Sequence, residues 1–316
     1  MNLHERVNRR LKLRDLRLVI AVAECGSMAK AATRINLTQS AVSRAIGELE
    51  HVLGVRLFDR TPQGVEPTIY GEALIKGGVA IFDDLRTSVS EIEFLSDPTA
   101  GELRIGTSEA AGWGFLPVVI DRLARQYPRA VFEVVEAEAE TLIERELRGR
   151  SIELAVTRLP TSERNEDLER TVLFSDRLRV VAGASSHWAS RRRIVLADLV
   201  DERWCLPPAG HPITSHVMEA FRCCGLAPPR RTVTVTSAQF VTNLVAKSYF
   251  LGVHGTVYLD FHPARDSLKA LPVKLPIPLL PLNAITLKNR TLSPLAQRFI
   301  ECACEVARPL VKVHKH

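Results

Sequence analysis

No uninterrupted apolar stretch in this 316-residue sequence is long enough to span a bilayer. The N-terminus, Met1-Asn-Leu-His-Glu-Arg6, lacks the apolar core of a signal peptide. Together these absences predict a cytoplasmic protein with no membrane partner. Catalytic signatures are missing too. There is no Gly-x-Ser-x-Gly elbow, P-loop, Gly-x-Gly-x-x-Gly after a strand, or His-Glu-x-x-His, so nothing points to an enzyme or to a bound cofactor. The six cysteines, Cys25, Cys205, Cys223, Cys224, Cys302 and Cys304, contain no C-x2-C pair and no His set at zinc spacing. They read as buried thiols rather than a metal or redox site. No repeat or low-complexity segment occurs.

What is present is an ordinary globular composition, 46% hydrophobic and 25% charged, with room for two or three domains. The net charge of +6 is unevenly spread. Residues 1–67 hold 11 Lys/Arg against 7 Asp/Glu, and residues 68–96 hold 2 against 5. Positive charge is therefore densest near the N-terminus, as phosphate binding favours, although an excess this small also suits a solvated surface. Residues 1–12, with Arg6, Arg9, Arg10 and Lys12, form a polar basic lead-in that frays or lies along phosphates.

Residues 26–54 carry the clearest pattern. Ser27 suits an N-cap, and Met28, Ala31, Ala32 and Ile35 follow at helical spacing. Asn36 suits a tight turn because Asn tolerates positive φ. Thr38 then caps a second helix with an inner face of Val42, Ile46, Leu49 and Leu53. Its other face shows Gln39, Ser40, Ser43, Arg44 and Gly47, mostly short and none acidic. Gln pairs bidentately with adenine, Arg with guanine, and Ser with either. Two helices at a tight, Ala-rich turn, with such a face, read as a helix-turn-helix, the bland alternative being a solvated face on an ordinary three-helix core.

The flanks make the pattern specific. Leu16, Val19, Ile20 and Ala23 form the inner stripe of a preceding helix. Gly54-Val-Arg-Leu-Phe-Asp-Arg60 and Thr61-Pro-Gln-Gly-Val-Glu-Pro-Thr68 read as strand, turn and return strand, a wing. Ala31-Ala32, Leu37-Thr-Gln-Ser-Ala-Val-Ser-Arg44, Leu49-Glu50, Leu53-Gly54 through Thr61, and Thr68 before a long helix resemble the winged-helix domain of LysR-type transcriptional regulators across residues 13–71. Two positions depart from that pattern: Tyr70 stands before Gly71, where a small residue is usual, and Met28 stands where an aromatic is common. The resemblance implies that Gln39, Ser40, Ser43 and Arg44 read the major groove of double-stranded operator DNA. Ser27, Lys30 and Thr38 would hold phosphates, and Arg60 would reach the backbone or minor groove.

Thr68 begins a helix of about 27 residues, roughly 40 Å at 1.5 Å per residue. Leu74, Ile81, Leu85, Val89 (or Ser88), Ile92 and Leu95 form a near-heptad stripe that needs a partner, most simply the same helix of a second subunit. The resemblance implies antiparallel pairing in a dimer or tetramer. Gly77-Gly78 fits either a close helix approach or a kink. Ser96-Asp97-Pro98 ends the helix in a breaker cluster.

Beyond Gly101 strands alternate with helices: Leu103–Thr107, helix 115–127, Val131–Val135, helix 141–148, Ile152–Val156. That order implies a parallel sheet. The Pro-rich run Leu271–Leu282 reads as an extended edge segment. Residues 101–316 resemble the effector domain of the same family. The expected fold is a two-lobed α/β domain, type-2 periplasmic-binding-protein-like, behind an N-terminal winged helix-turn-helix and a linker helix. The expected division is 1–67, 68–96 and 97–316, with lobe one at 101–175 plus 265–316 and lobe two at 176–264.

In such a domain ligands bind where strand ends and helix starts converge. Thr107-Ser108-Glu109 ends the first strand and Arg158 follows the third. Pro207 and Pro208 follow the matching strand of lobe two, Ser237 starts a helix, and His254 follows a strand. Hydroxyls, backbone donors and a guanidinium suit a small anionic ligand. Plain N-capping, a surface ion pair and a structural histidine remain alternatives for Ser108, Arg158 and His254. The function implied is a ligand-responsive transcription regulator, with contact to the transcription machinery also open. The alternative is a constitutive DNA-binding or architectural protein whose C-terminal domain only oligomerises.

Overall fold

The computed structural model describes residues 10–61, 64–158, 165–261 and 265–313. The chain forms two compact units, Met1–Val89 and Ser90–His316. Among the described residues, no helix is long and apolar enough to cross a membrane.

The first unit opens with α1 (Leu13–Cys25), α2 (Met28–Arg34) and α3 (Gln39–Leu53). Val19, Val22, Ala31, Val42 and Ile46 meet in a common core, and Ala31 and Ala32 allow the close crossing of the short α2. Asn36 adopts φ 56°, as the turn requires. Thr38 caps α3, its side chain accepting from the Ala41 N–H at 3.2 Å. Ser27 takes the N-cap position of α2, but its side chain makes no capping bond. Met28 is buried in the core. β1 (Phe58–Thr61) and β2 (Gly64–Pro67) pair antiparallel as the expected wing. The Val65 N–H donates to Gly26 O at 2.9 Å, seating the wing on the α1–α2 turn.

α4 (Ile69–Ser96) runs 28 residues. Its first turns belong to the N-terminal core. A Cβ on Gly71 would lie 2.1 Å from Leu57 O, and one on Gly78 would lie 3.3 Å from Ile20 Cδ1, whereas Gly77 faces nothing within 4 Å. Gly78 thus serves a close approach of α4 to α1. Leu74, expected in the dimer stripe, instead packs against the first unit's core. Ile81, Leu85, Val89, Ile92 and Leu95 are exposed along α4.

In the second unit, lobe one is a five-stranded sheet in the order β4 (Arg129–Glu136), β3 (Ala100–Thr107), β5 (Leu154–Thr157), β12 (Leu280–Leu287), β6 (Leu168–Asp176). β3 is parallel to β4 and β5, as expected, but β12 runs antiparallel between β5 and β6, so the sheet is mixed. α5 (Phe115–Gln126) and the last helix (Pro294–Val313) pack on one face through Phe115, Val119, Leu123 and Phe299. The other face carries Ala139–Thr141 and a π-helical turn, Leu142–Leu147, where the sequence pattern indicated a plain helix.

Lobe two centres on β7 (Leu178–Gly183), antiparallel to β10 (Gly252–Gly255) and β11 (Leu268–Ala270). β8 (Trp204–Leu206) and β9 (Arg231–Thr234) are parallel, and Trp204 bridges to Leu251 beside β10. α6 (Pro212–Cys223) and α7 (Ala238–Lys247) cover this sheet, and α8 (Thr256–Phe261) leads out of β10. The last helix, Pro294–Val313, is α9. The expected return to lobe one at residue 265 is wrong. β11 pairs with β7, and Leu271 and Val273 lie in the core of lobe two, so the return comes at β12. The Leu271–Leu282 run is accordingly no sheet edge, because apolar side chains at its start are buried and its end enters the interior strand β12.

Candidate functional site

Gln39, Ser40 and Arg44 are exposed on α3, with Lys30 exposed on α2. Ser43 is half-buried, because the wing reaches it: Arg60 Nη2 donates to Ser43 Oγ at 3.2 Å. The Thr38 and Ser40 hydroxyls are 3.1 Å apart. Arg44 Nε donates to Glu48 Oε1 at 3.0 Å. Glu48 corrects the view of a face without acids, since Ser40, Ala41, Arg44, Ala45 and Glu48 line one shallow recess of about 480 Å³. Glu50, not singled out for a role in the sequence, holds the wing's root. Its Oε1 accepts from the Leu57 and Phe58 N–H groups at 2.7 and 3.3 Å. α3 therefore presents short polar side chains and one guanidinium outward, braced by the wing, which suits the dimensions of a DNA major groove.

The second unit holds a cleft of about 880 Å³ between its lobes, lined by Ser108, Glu109, Arg158 and Ser237 among others. Ser108 caps a single helical turn, Glu109–Gly112, through its carbonyl, while its side chain makes no capping bond. Thr107 is buried, and its hydroxyl donates to Ser108 O at 3.2 Å and Val156 O at 3.4 Å. Arg158 Nη2 pairs with Asp176 Oδ2 at 2.5 Å. Asp176, fully buried at the β6–β7 crossing between lobes, also accepts from Arg177 N and Val257 N.

Glu109 is an acceptor at the cleft. Its Oε2 takes the Ala238 N–H at 2.7 Å, and its Oε1 takes the Gln239 N–H at 3.0 Å and Ser237 Oγ at 3.2 Å. A lobe-one carboxylate thus sits at the N-terminus of the lobe-two helix α7, where the helix dipole favours negative charge. Three expectations fail here. Pro207 is buried, its carbonyl accepting from Thr214 Oγ1 at 2.7 Å, and Pro208 points outside the cleft; Gly210, His211, Pro212 and Ile213 line it instead. His254 is buried, with Nε2 3.2 Å from Thr242 Oγ1 and its ring stacked on Tyr258, a structural role. Among the donors behind the anionic-ligand reading, Thr107 Oγ1, Arg158 Nη2 and the start of α7 are engaged by groups of the chain itself, whereas Arg158 Nε is buried without a partner among the described residues.

Sequence reasoning also missed Glu136, Glu138, Glu140, Glu144 and His211 at the cleft, none of which has a local motif. Burial, and then the charge of Glu109, push the Glu136 carboxyl above its ordinary range. Burial holds the His211 imidazole below 6.5 despite Glu138 nearby, and His211 Nδ1 accepts the Ile213 N–H at 3.2 Å as the cap of α6. Among the described residues, no three His, Cys, Asp or Glu side chains converge as a metal site. The thiols are not uniformly buried, since Cys223 and Cys224 are exposed and Cys25 and Cys304 half-buried. Burial raises the Cys205 thiol to about 11.

Known proteins share this layout. Residues 13–72 match the family described as bacterial regulatory helix-turn-helix protein, lysR family, and residues 96–308 match the LysR substrate binding domain. The transcriptional regulator GbpR of Azospirillum brasilense is 31% identical over 287 residues, covering 90% of this chain and 83% of its own length. A full-length OxyR variant of Pseudomonas aeruginosa superposes with a TM-score of 0.67 at 22% identity, over 95% of this chain and 98% of its own. Full-length CbnR crystallised with its target DNA gives 0.55 at 22% identity, over 94% of this chain and 100% of its own.

Proposed function

Given that the chain belongs to the LysR family of transcriptional regulators and is no enzyme, we propose that it binds its operator as a homo-oligomer in the cytoplasm and takes a small-molecule effector in the cleft of its second unit. The exposed Gln39, Ser40 and Arg44 on a wing-braced α3 carry the DNA-binding part of this reading. Gln39 and Arg44 supply base-edge contacts, and Lys30, Thr38 and Ser27 supply phosphate contacts. The row Ile81, Leu85, Val89, Ile92 and Leu95 supports the oligomer. Each is more than 40% exposed in the single chain, on a helix that buries little else there. An effector acts through unequal affinity for two arrangements of that oligomer, so operator and effector must alter each other's binding.

The test uses an operator selected from random-sequence DNA, with sedimentation and footprinting of wild type and the double variant Ile81→Glu, Leu85→Glu. Charge in the apolar row is expected to give monomers that hold one half-site weakly. Unchanged mass removes α4 from the interface. A footprint unmoved by every ligand found in a thermal-shift screen returns the chain to the constitutive alternative.

A further inference from the structure

We infer that Glu109 is a resident carboxylate filling the anion seat of the cleft, so that the effector this cleft selects is a small amine-bearing cation rather than an acid. This rests on the effector-cleft reading above and names the ligand class of that site.

A helix start with two free N–H groups and a hydroxyl is a ready-made place for a carboxylate or phosphate. In α7 that place is taken. Ala238 N, Gln239 N and Ser237 Oγ all donate to Glu109, a residue of the same chain. The cleft's guanidinium is committed through one nitrogen, Nη2, while its buried Nε has no hydrogen-bond partner among the described residues. Arg158 pairs with Asp176, which has no exposure at all, and drawing Arg158 towards a ligand would leave that buried carboxylate short of its counter-charge. An acidic ligand would therefore have to evict one internal anion or strand another.

Among the described residues, the charge that remains is negative. Glu136, Glu138 and Glu140 line the same cleft, and Glu144, also there, is partnered by Arg148 outside the cleft lining. His211 adds no positive charge near neutral pH, because burial favours its neutral form. Glu136 is already penalised by burial and by the neighbouring charge of Glu109, a penalty that a bound ammonium relieves and a bound carboxylate increases. Among the described residues, the carboxylates are spread along the cleft and do not converge as a metal site. An extended organic cation, such as a linear diamine or polyamine, matches both the charge and a space of about 880 Å³.

The experiment is calorimetry and thermal shift on the full chain with four probes: putrescine, spermidine, succinate and inorganic phosphate. Wild type is expected to bind an amine and to ignore both acids. Glu109→Ala empties the seat, so phosphate or succinate should now stabilise the protein, amine affinity should fall roughly tenfold, and amide exchange at Ala238 and Gln239 should quicken. Glu109→Gln keeps the side chain's size and an acceptor, and should fold normally with weakened amine binding. Wild type that binds an acid and neither amine overturns the inference, as does a folded Glu109→Ala that gains no response to acids. Amine binding that leaves the operator footprint unchanged upholds this ligand class and instead overturns the regulatory role proposed for the cleft.

Discussion

Arg44 Nε lies 3.0 Å from Glu48 Oε1, one turn further along the recognition helix, with both side chains mostly exposed. An exposed helical pair of this kind is worth about 0.3–0.5 kcal/mol, whereas a bidentate Arg–guanine contact is worth about 1–3 kcal/mol. If α3 reads base edges as proposed, a guanine outcompetes Glu48 for Arg44. Arg44→Ala should weaken operator binding by about 1–3 kcal/mol and relax one base pair per half-site. Glu48→Ala should barely change thermal stability and should tighten binding, by removing negative charge facing phosphate. Fluorescence anisotropy on operator and scrambled DNA decides. Equal losses on both DNAs for Arg44→Ala would place it on the backbone, not on a base.

Glu50 joins the C-terminal part of α3 to the root of the wing's first strand, accepting from two backbone N–H groups. Glu50→Ala leaves the Leu57 and Phe58 N–H groups without that partner, in a half-buried setting. The expected loss is about 1–3 kcal/mol in the N-terminal unit. Glu50→Gln, which keeps an acceptor oxygen, should retain most of it. Denaturant unfolding of residues 1–89 as a fragment, or of the full chain, measures both.

Gly71 and Gly78 are both helical, yet their neighbours differ. A Cβ on Gly71 meets a backbone carbonyl, Leu57 O, at 2.1 Å, while one on Gly78 meets the flexible tip of Ile20 at 3.3 Å. Gly71→Ala should destabilise by about 1–3 kcal/mol or more, since backbone must move. Gly78→Ala should be near neutral, because about 1 kcal/mol of helix propensity offsets a small side-chain shift. Thermal melts of the two variants should separate clearly, and coincident melts would contradict the packing described for α4.

His211 caps α6 only while Nδ1 keeps its lone pair. Burial lowers its pKa from 6.5 in the folded state, so the unfolded chain takes up the proton first as pH falls. Its stabilising contribution is complete above about pH 6.5 and is lost as pH drops towards the lower folded value. His211→Asn can cap without titrating there. The melting temperature of wild type should therefore fall relative to His211→Asn between pH 7.5 and 5, and parallel curves would remove His211 from the pH response.

The helix-turn-helix was legible because its signals are local. Thr38, Asn36 and the Val42–Ile46–Leu49 spacing sit next to what they organise. The cleft was legible only in outline. Ser108 and Ser237 stand out from their place before helices, but the sequence groups Glu109 with a set of donors, whereas it accepts from residues about 130 positions away. Asp176 and Glu50 escaped notice for the same reason, since a carboxylate's partner across a fold leaves no spacing to read. Leu74 was assigned to the subunit contact because heptad spacing marks an apolar face without saying whether the partner lies in the same chain or another. The lobe boundary slipped because β11 is three residues long and precedes a Pro-rich run that looks like an exit.

β12 lies between β5 and β6, yet about 100 residues of lobe two are inserted in the chain before it. At about 5–20 residues per second, synthesis leaves β5 and β6 with unpaired edges facing each other for several seconds or more. Lobe two is contiguous and can close during that interval, whereas the lobe-one sheet waits for β12, and its core for Phe299 of the last helix. A nascent chain on the ribosome therefore carries a finished DNA-binding module well before it has a cleft, and chain release in that window would leave sticky sheet edges for chaperones or proteases to deal with.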